Sequence, residues 1–261
     1  MIFNSILFDV GATKTRIAYS ENGEFFEDPK VYETSKDKET FLDIFKKTAE
    51  ELAKNREIKI VAGGMTRALD FKPEEIKEKL TEIFGVKILM DNDSAVVGLG
   101  EANWGAGRGF QIMAYITVST GVGGVRIVDG KIDERSVNFE PGKQIMDIDS
   151  GKTLEDMISG KNLEKREGRS PKEISNPEIW EDLAEKLAMG LNNIAVEWSP
   201  DCIVLGGSMI IGNPAISIEK AENHFKEILK IFPKLPEIRK AELGDFGGLY
   251  GALVLIKQKP N

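Results

Sequence analysis

Short apolar runs that stop at glycine alternate along the chain with longer stretches whose apolar positions recur at helical spacing. Ser5–Val10 and Arg16–Tyr19 read as two strands joined by the turn Gly11-Ala12-Thr13-Lys14. Thr40–Lys54 predicts a helix with Phe41, Phe45, Thr48 and Leu52 on one face. Ile58–Ala62 predicts a strand ending in Gly63-Gly64. Pro73 then opens a helix that Gly85 stops, since proline suits a first helical turn and glycine a left-handed cap. Val86–Met90 predicts a strand running into Asp91-Asn92-Asp93, followed by Ser94–Asn103 as a buried helix of small residues. Gln111–Ser119 reads as a strand that turns at Thr120-Gly121-Val122-Gly123-Gly124 into its hairpin partner Val125–Val128. Asn176-Pro177 caps a long helix with Ile179, Leu183, Leu187, Leu191, Ile194 and Trp198 in register. Cys202–Leu205 predicts a strand ending in Gly206-Gly207-Ser208, then come a helix from about Ile216 to Phe232 and a final apolar helix over Leu249–Lys259. Asp133–Ser175 is polar and weakly periodic, and reads as an irregular insertion. The same grammar thus occurs twice, over residues 1–110 and from 111 onward, which implies a layered α/β fold.

Composition narrows the chemistry. The chain has 261 residues, with 35 Lys+Arg against 43 Asp+Glu and a net charge of −8. That balance argues against a nucleic-acid partner held by phosphate neutralisation. Cys202 and His224 are the only cysteine and histidine, so a zinc site built on paired Cys and His is excluded, as is an intrachain disulfide. His224 is expected on a helix flank, and Cys202 as a small buried hydrophobe. The first residues lack a cationic start, and no run of 18 or so apolar residues occurs. The expectation is a cytoplasmic protein with neither leader nor membrane partner.

Four segments carry chemistry. Asp9-Val10-Gly11-Ala12-Thr13-Lys14-Thr15 sets an acid at a strand end before a tight turn. Gly11 lets backbone approach a phosphate, Thr13 and Thr15 offer hydroxyls, and Asp9 suits a hydrated Mg²⁺. A plain β-turn is the alternative reading. Thr117–Gly124 offers a second such turn, read either as a second phosphate wall or as a flexible hairpin. Gly206, Gly207 and Ser208 follow a buried strand and suit the flat face of an adenosine; neither a GxGxxG nor a GxxxxGK[ST] pattern is present. Asp93 stands at a strand-to-helix junction, where it suits a general base for phosphoryl transfer or a helix cap, with Asn92 beside it to orient an acceptor.

With these segments in this order, the chain resembles the ROK family of sugar kinases and sugar-responsive regulators, within the actin/hexokinase-like ATPase superfamily. The stretches carrying the resemblance are DVGATKTRIAY, DNDSAVVGLGEANWGAGRG, ITVSTGVGGVRIVDGKI, LAMGLNNIAVEWSPDCIVLGGSMI and GDFGGLYGALVL. The resemblance implies a two-lobed, ribonuclease H-like fold with a central cleft. One lobe would span 1–110 and be completed by 245–261; the other would span 111–244. It implies ATP and Mg²⁺ as cofactors, held by Asp9 (to the metal through water), Gly11, Ala12, Thr13, Lys14, Thr120, Gly121, Gly123, Gly206, Gly207 and Ser208. It implies Asp93 as the base that deprotonates a sugar hydroxyl, by analogy the 6-hydroxyl of a hexose or N-acylhexosamine. Sugar contacts would come from Gly64, Asn92, Asp93, Glu140, Lys143 and Glu155, and the oligomer would be a homodimer. Two departures stand out. The family's E-x-G-H reads here Glu140-Pro141-Gly142-Lys143, and the family's cysteine cluster is missing, so no zinc site is expected. These departures keep open a second reading, a sugar- or nucleotide-binding protein without catalysis.

Overall fold

The structure is a computed structural model and describes residues 3–258. The chain divides into two compact units: residues up to Asn103 together with those from Leu243 onward, and Trp104–Glu242. In the first unit, β1 (Ser5–Val10) and β2 (Lys14–Ser20) form the expected hairpin, and β3 (Lys30–Glu33) pairs outside β2. Helix α1 (Lys38–Ala53) starts at Asp37, whose carboxylate accepts the Thr40 amide at 2.9 Å, and ends at Lys54 in the left-handed region. Strand β4 (Ile60–Met65), helix α2 (Pro73–Phe84, with Gly85 as its cap at φ 65°), strand β5 (Lys87–Asn92) and helix α3 (Asp93–Trp104) follow. The sheet order is β3-β2-β1-β4-β5, with β1, β4 and β5 parallel.

The second unit repeats this plan with strands β6 (Ile112–Val118), β7 (Val122–Val128) and β8 (Lys131–Ile132). Then come the short helix α4 (Leu154–Ile158), α5 (Gly160–Glu167), the long α6 (Pro177–Trp198), β9 (Cys202–Gly206), α7 (Ser208–Ile211), α8 (Ile218–Ile228) and β10 (Glu237–Lys240). Its sheet order, β10-β9-β6-β7-β8, matches the first sheet read in the opposite direction.

Side chains alternate along β1, and the two faces feed different cores. Ile6, Phe8 and Val10 join Phe41, Phe45, Ile76 and Leu80 beneath α1 and α2. Leu7 packs on the other face with Leu249, Leu253 and Ile256 of the C-terminal helix, Gly247–Gln258. In the second unit, Ile116, Val118, Ile203 and Leu205 lie under Leu183, Leu187 and Leu191 of α6 and Phe225 of α8.

Three expectations are corrected. The stretch 133–175 is not irregular throughout: it holds α4 and α5, anchored by the buried Leu154, Ile158 and Leu163. The helix expected to reach Phe232 ends at Ile228, where Leu229 turns extended. β7 begins at Val122, so Gly123 and Gly124 lie in the strand and the turn shrinks to Ser119-Thr120-Gly121. Lys259, the expected last residue of the final helix, lies outside the described residues. Among the described residues no helix is long and apolar enough to cross a membrane.

The C-terminal helix packs backbone-close on α3. A Cβ on Gly251 would sit 1.8 Å from the Val96 carbonyl oxygen, with no flexible atom to yield. Gly251→Ala gains roughly 1 kcal/mol in helix propensity, but overpacking of this kind costs about 1–3 kcal/mol. Net destabilisation, read as a lower urea midpoint, is the expected outcome.

Candidate active site

In the first unit the strand register builds the site. Parallel pairing sets Asp9 opposite Gly64, and Gly64 opposite Asp91; Val10, Met65 and Asn92 form the next row. Asp9 falls on the Leu7 face of β1, under the start of the C-terminal helix. A Cβ on Gly248 would lie 2.5 Å from the Asp9 carboxyl carbon, so glycine at 248 is what admits the carboxylate. Arg16, directly opposite Asp9 in the hairpin, donates to Asp9 Oδ2 at 3.3 Å and to Asp245 Oδ1 at 3.0 Å. Burial pushes the Asp9 carboxyl up to about 7; Arg16 opposes that rise, and the charges of Asp93 and Asp245 add to it.

The first turn is braced from below. Gly11 N–H donates to the Lys14 carbonyl at 3.0 Å, and Thr34 Oγ1 donates to the Gly11 carbonyl at 2.9 Å. Thr13 and Lys14 face solvent, with Gly11 and Ala12 half-buried. Thr15 does not join them: it is fully buried and lies 2.9 Å from Thr34 Oγ1, because alternation turns it into the sheet.

Asp93 is the first residue of α3, and its Oδ1 accepts the Ser94 amide at 2.8 Å. The more cap-like side chain is Asn92, whose Oδ1 accepts from Ser94 Oγ at 2.5 Å and from the Ala95 amide at 3.4 Å. A Cβ on Gly64 would lie 2.9 Å from the Asp93 Cα, so Gly64 permits the close approach of that backbone. Its role in the structure is therefore spacing.

In the second unit, Thr120 is exposed at the hairpin tip and Gly121 is half-buried, while Gly123 is paired opposite Thr117. Ser119 Oγ lies 3.1 Å from Ser208 Oγ, which ties this turn to the segment after β9. Gly207 has φ 88°, and a Cβ there would strike the Val118 carbonyl at 2.3 Å. Glu140 is exposed just before a 3-10 turn, Pro141–Lys143. Lys143 Nζ donates to Glu155 Oε1 at 2.5 Å, and Glu155 Oε2 accepts the Val122 amide at 2.8 Å. So Thr120, Gly121, Lys143 and Glu155 form one cluster, joined through Ser119 to Ser208.

Sequence reasoning missed Arg16, Asp245, Gly248 and the Val122 amide. Arg16 had a signal: in a hairpin pairing Val10 with Thr15, the residue opposite Asp9 is Arg16. The others depend on contacts distant in sequence.

A hydrated Mg²⁺ takes one or two carboxylates and keeps most of its waters and phosphate ligands. Asp9, buried and held in orientation by Arg16, fits that demand. Among the described residues no cluster of three His, Cys, Asp or Glu side chains forms a protein-only cage.

The raised Asp9 pKa is also a stability statement. The folded state holds this proton up to about pH 7, and the unfolded chain releases it near 3.8. Ionised Asp9 therefore destabilises the fold progressively as pH rises from about 4 to 7, and fully above that. Asp9→Asn removes the penalty. In chelator-treated protein the variant is expected to melt a few degrees above wild type at pH 8, with the gap closing toward pH 4. A gap that does not change with pH would contradict the burial argument.

The ROK family model matches residues 6–259. An uncharacterised protein of Clostridium perfringens is 28% identical over 229 residues, which is 79% of this chain and 75% of that protein. A ROK hexokinase from Thermus thermophilus superposes with TM-score 0.81 at 24% identity, over 98% of this chain and 99% of that one. A ROK glucokinase from Streptomyces griseus, solved with glucose and AMPPNP, gives 0.78 at 20% over the same shares. A ROK transcriptional regulator homologous to the E. coli MLC protein gives 0.77 at 16%, over 97% of this chain and 77% of that one. The two five-stranded α/β sheets match the fold of these two-lobed kinases, and the chain belongs to the ROK family.

Proposed function

We propose that the chain is an ATP-dependent sugar kinase that moves the γ-phosphoryl group to a sugar hydroxyl, by analogy the 6-hydroxyl of a hexose or N-acylhexosamine. The observation that carries the reading is the first unit's strand-end row. Asp93 stands one residue past β5, close enough to Asp9 for their charges to interact, on backbone that Gly64 allows to approach. A sugar kinase needs such a positioned base beside a phosphate cradle.

In this reading Asp93 accepts the proton of the attacking hydroxyl, and Asn92, locked by Ser94, orients that hydroxyl. In the first unit, the turn amides and Thr13 bind phosphate oxygens. In the second, Thr120 and Gly121 do the same, Gly206 to Ser208 receive the adenosine, and Glu140 faces the sugar, while Glu155 is bound to Lys143 and the Val122 amide. Asp9 would hold Mg²⁺ through water; the ion when bound neutralises charge on the phosphates. Arg16 keeps Asp9 oriented. A cytoplasmic homodimer belongs to the same proposal.

The family also contains regulators, and Lys143 in place of histidine favours a second reading: a sugar- or nucleotide-binding protein that does not catalyse. ADP release measured across a sugar panel separates the two. The kinase reading expects turnover with at least one hexose or hexosamine, and Asp93→Asn is expected to lower kcat by roughly 10²–10⁴-fold. Full turnover in that variant would remove Asp93 as base. Calorimetric sugar binding without ADP release for any sugar would favour the binding protein.

A further inference from the structure

The residues around Lys143 do not suit the zinc that the family's E-x-G-H and cysteine cluster would hold. Position 143 carries an ammonium group, which has no lone pair for a metal. Residues 140–155 contain no cysteine or histidine. Cys202 is buried in β9, and His224 Nε2 sits 2.8 Å from Glu181 Oε1.

A closed set of bonds occupies that region instead. Glu155 uses both carboxylate oxygens, one on Lys143 and one on the Val122 amide, the first residue after the Ser119-Thr120-Gly121 turn. The same segment holds the turn from below. Gly160 N–H donates to the Ser119 carbonyl at 2.7 Å, and Lys161 N–H to the Thr120 carbonyl at 3.3 Å. Two glycines permit the approach: a Cβ on Gly121 would lie 2.7 Å from Glu155 Oε2, and one on Gly142 would lie 2.4 Å from the Val122 carbonyl oxygen. The chain between Lys143 and Glu155 closes on itself. Ile145 bridges Thr153, Leu154 N–H donates to the Gln144 carbonyl at 3.0 Å, and Met146 N–H donates to the Lys152 carbonyl at 2.8 Å.

We propose that Lys143 is a positioning residue for the second phosphate turn: by pinning Glu155 it fixes the Val122 amide, and with it Thr120 and Gly121, and so sets nucleotide affinity without a structural metal. The nucleotide half of this inference rests on the kinase reading. A carboxylate bound at one oxygen alone still swings about its terminal torsion; a cation on the other oxygen stops it. Lys143 is largely exposed and Glu155 half-buried, so solvent screens the pair and it adds little to global stability; its effect is local to the turn.

Amide hydrogen exchange followed by NMR on the full chain, with and without EDTA, tests the strut. Lys143→Met and Glu155→Gln are each expected to speed exchange at Val122 about tenfold or more, with the amides of Ile203 to Leu205 in β9 unchanged. Lys143→Arg is expected to stay close to wild type, the double variant to be no faster than Glu155→Gln, and EDTA to change nothing. Calorimetry with MgATP should show several-fold weaker binding for Lys143→Met and near-normal binding for Lys143→Arg. Unchanged exchange at Val122 in both single variants, acceleration by EDTA, or an arginine variant that behaves like methionine would each overturn the strut. Wild-type protein that binds no MgATP would instead overturn the kinase reading and the nucleotide half of the inference, and leave the exchange result to decide the strut.

Discussion

The register among β1, β4 and β5 governs the chemistry of the first unit. It places Asp9, Gly64 and Asp91 in one row across the strand ends. Because strand side chains alternate, Asp9 shares the face of Leu7 while Phe8 and Val10 go to the opposite core. A one-residue slip would drive Asp9 among Phe41 and Phe45 and turn Phe8 toward Gly248. The glycines obey the same constraint. Side chains at 64 and 248 would collide with the Asp93 backbone and the Asp9 carboxylate. Strand pairing, bare Cα positions and carboxylate placement are therefore one requirement met together.

Much of this was legible in the sequence because its signals are local. Ser5–Val10 is an uninterrupted buried run, and Pro73 with Gly85 bounds α2 by backbone preference alone. The edge strands β3 and β10 escaped because Lys30–Glu33 and Glu237–Lys240 begin and end on charged residues and resemble loops. Helices α4 and α5 escaped because each buries only two residues, Leu154 and Ile158 in one, Gly160 and Leu163 in the other, too few to show a period. At the site, residue types were legible and their partners were not. Asp9, Asp93 and Glu155 stood out as carboxylates in suggestive settings. Nothing local shows that Glu155 reaches an amide 33 positions earlier in the chain, or that Asn92 shares the cap with Asp93.

The two units share a topology but differ in electrostatics. In the first, the strand ends gather carboxylates at Asp9, Asp91 and Asp93, with Arg16 as the counter-charge on Asp9. Burial makes that arrangement costly for ionised Asp9. In the second, the turn between β6 and β7 offers hydroxyls and amides from Ser119, Thr120 and Gly121, and the nearby Lys143–Glu155 pair balances itself. The first unit concentrates charge at its strand ends, whereas the second presents neutral hydrogen-bonding groups at its turn.

The composition explains why the second unit relies on hydrogen bonds. Its cysteine is a packing residue: burial pushes the Cys202 thiol up to about 12, far from the thiolate a metal requires. Its histidine is engaged with Glu181 between α6 and α8. With no cysteine or histidine in residues 140–155, polar groups close that stretch, and they are densely used. Gln144 donates to the Pro141 carbonyl and accepts from Asn193, Asp147 accepts the Asp149 amide and the Ser150 hydroxyl, and Thr153 and Asp156 cap α4 reciprocally. A lysine at 143 belongs to such a design: its ammonium donates to Glu155 and needs no metal to hold its place.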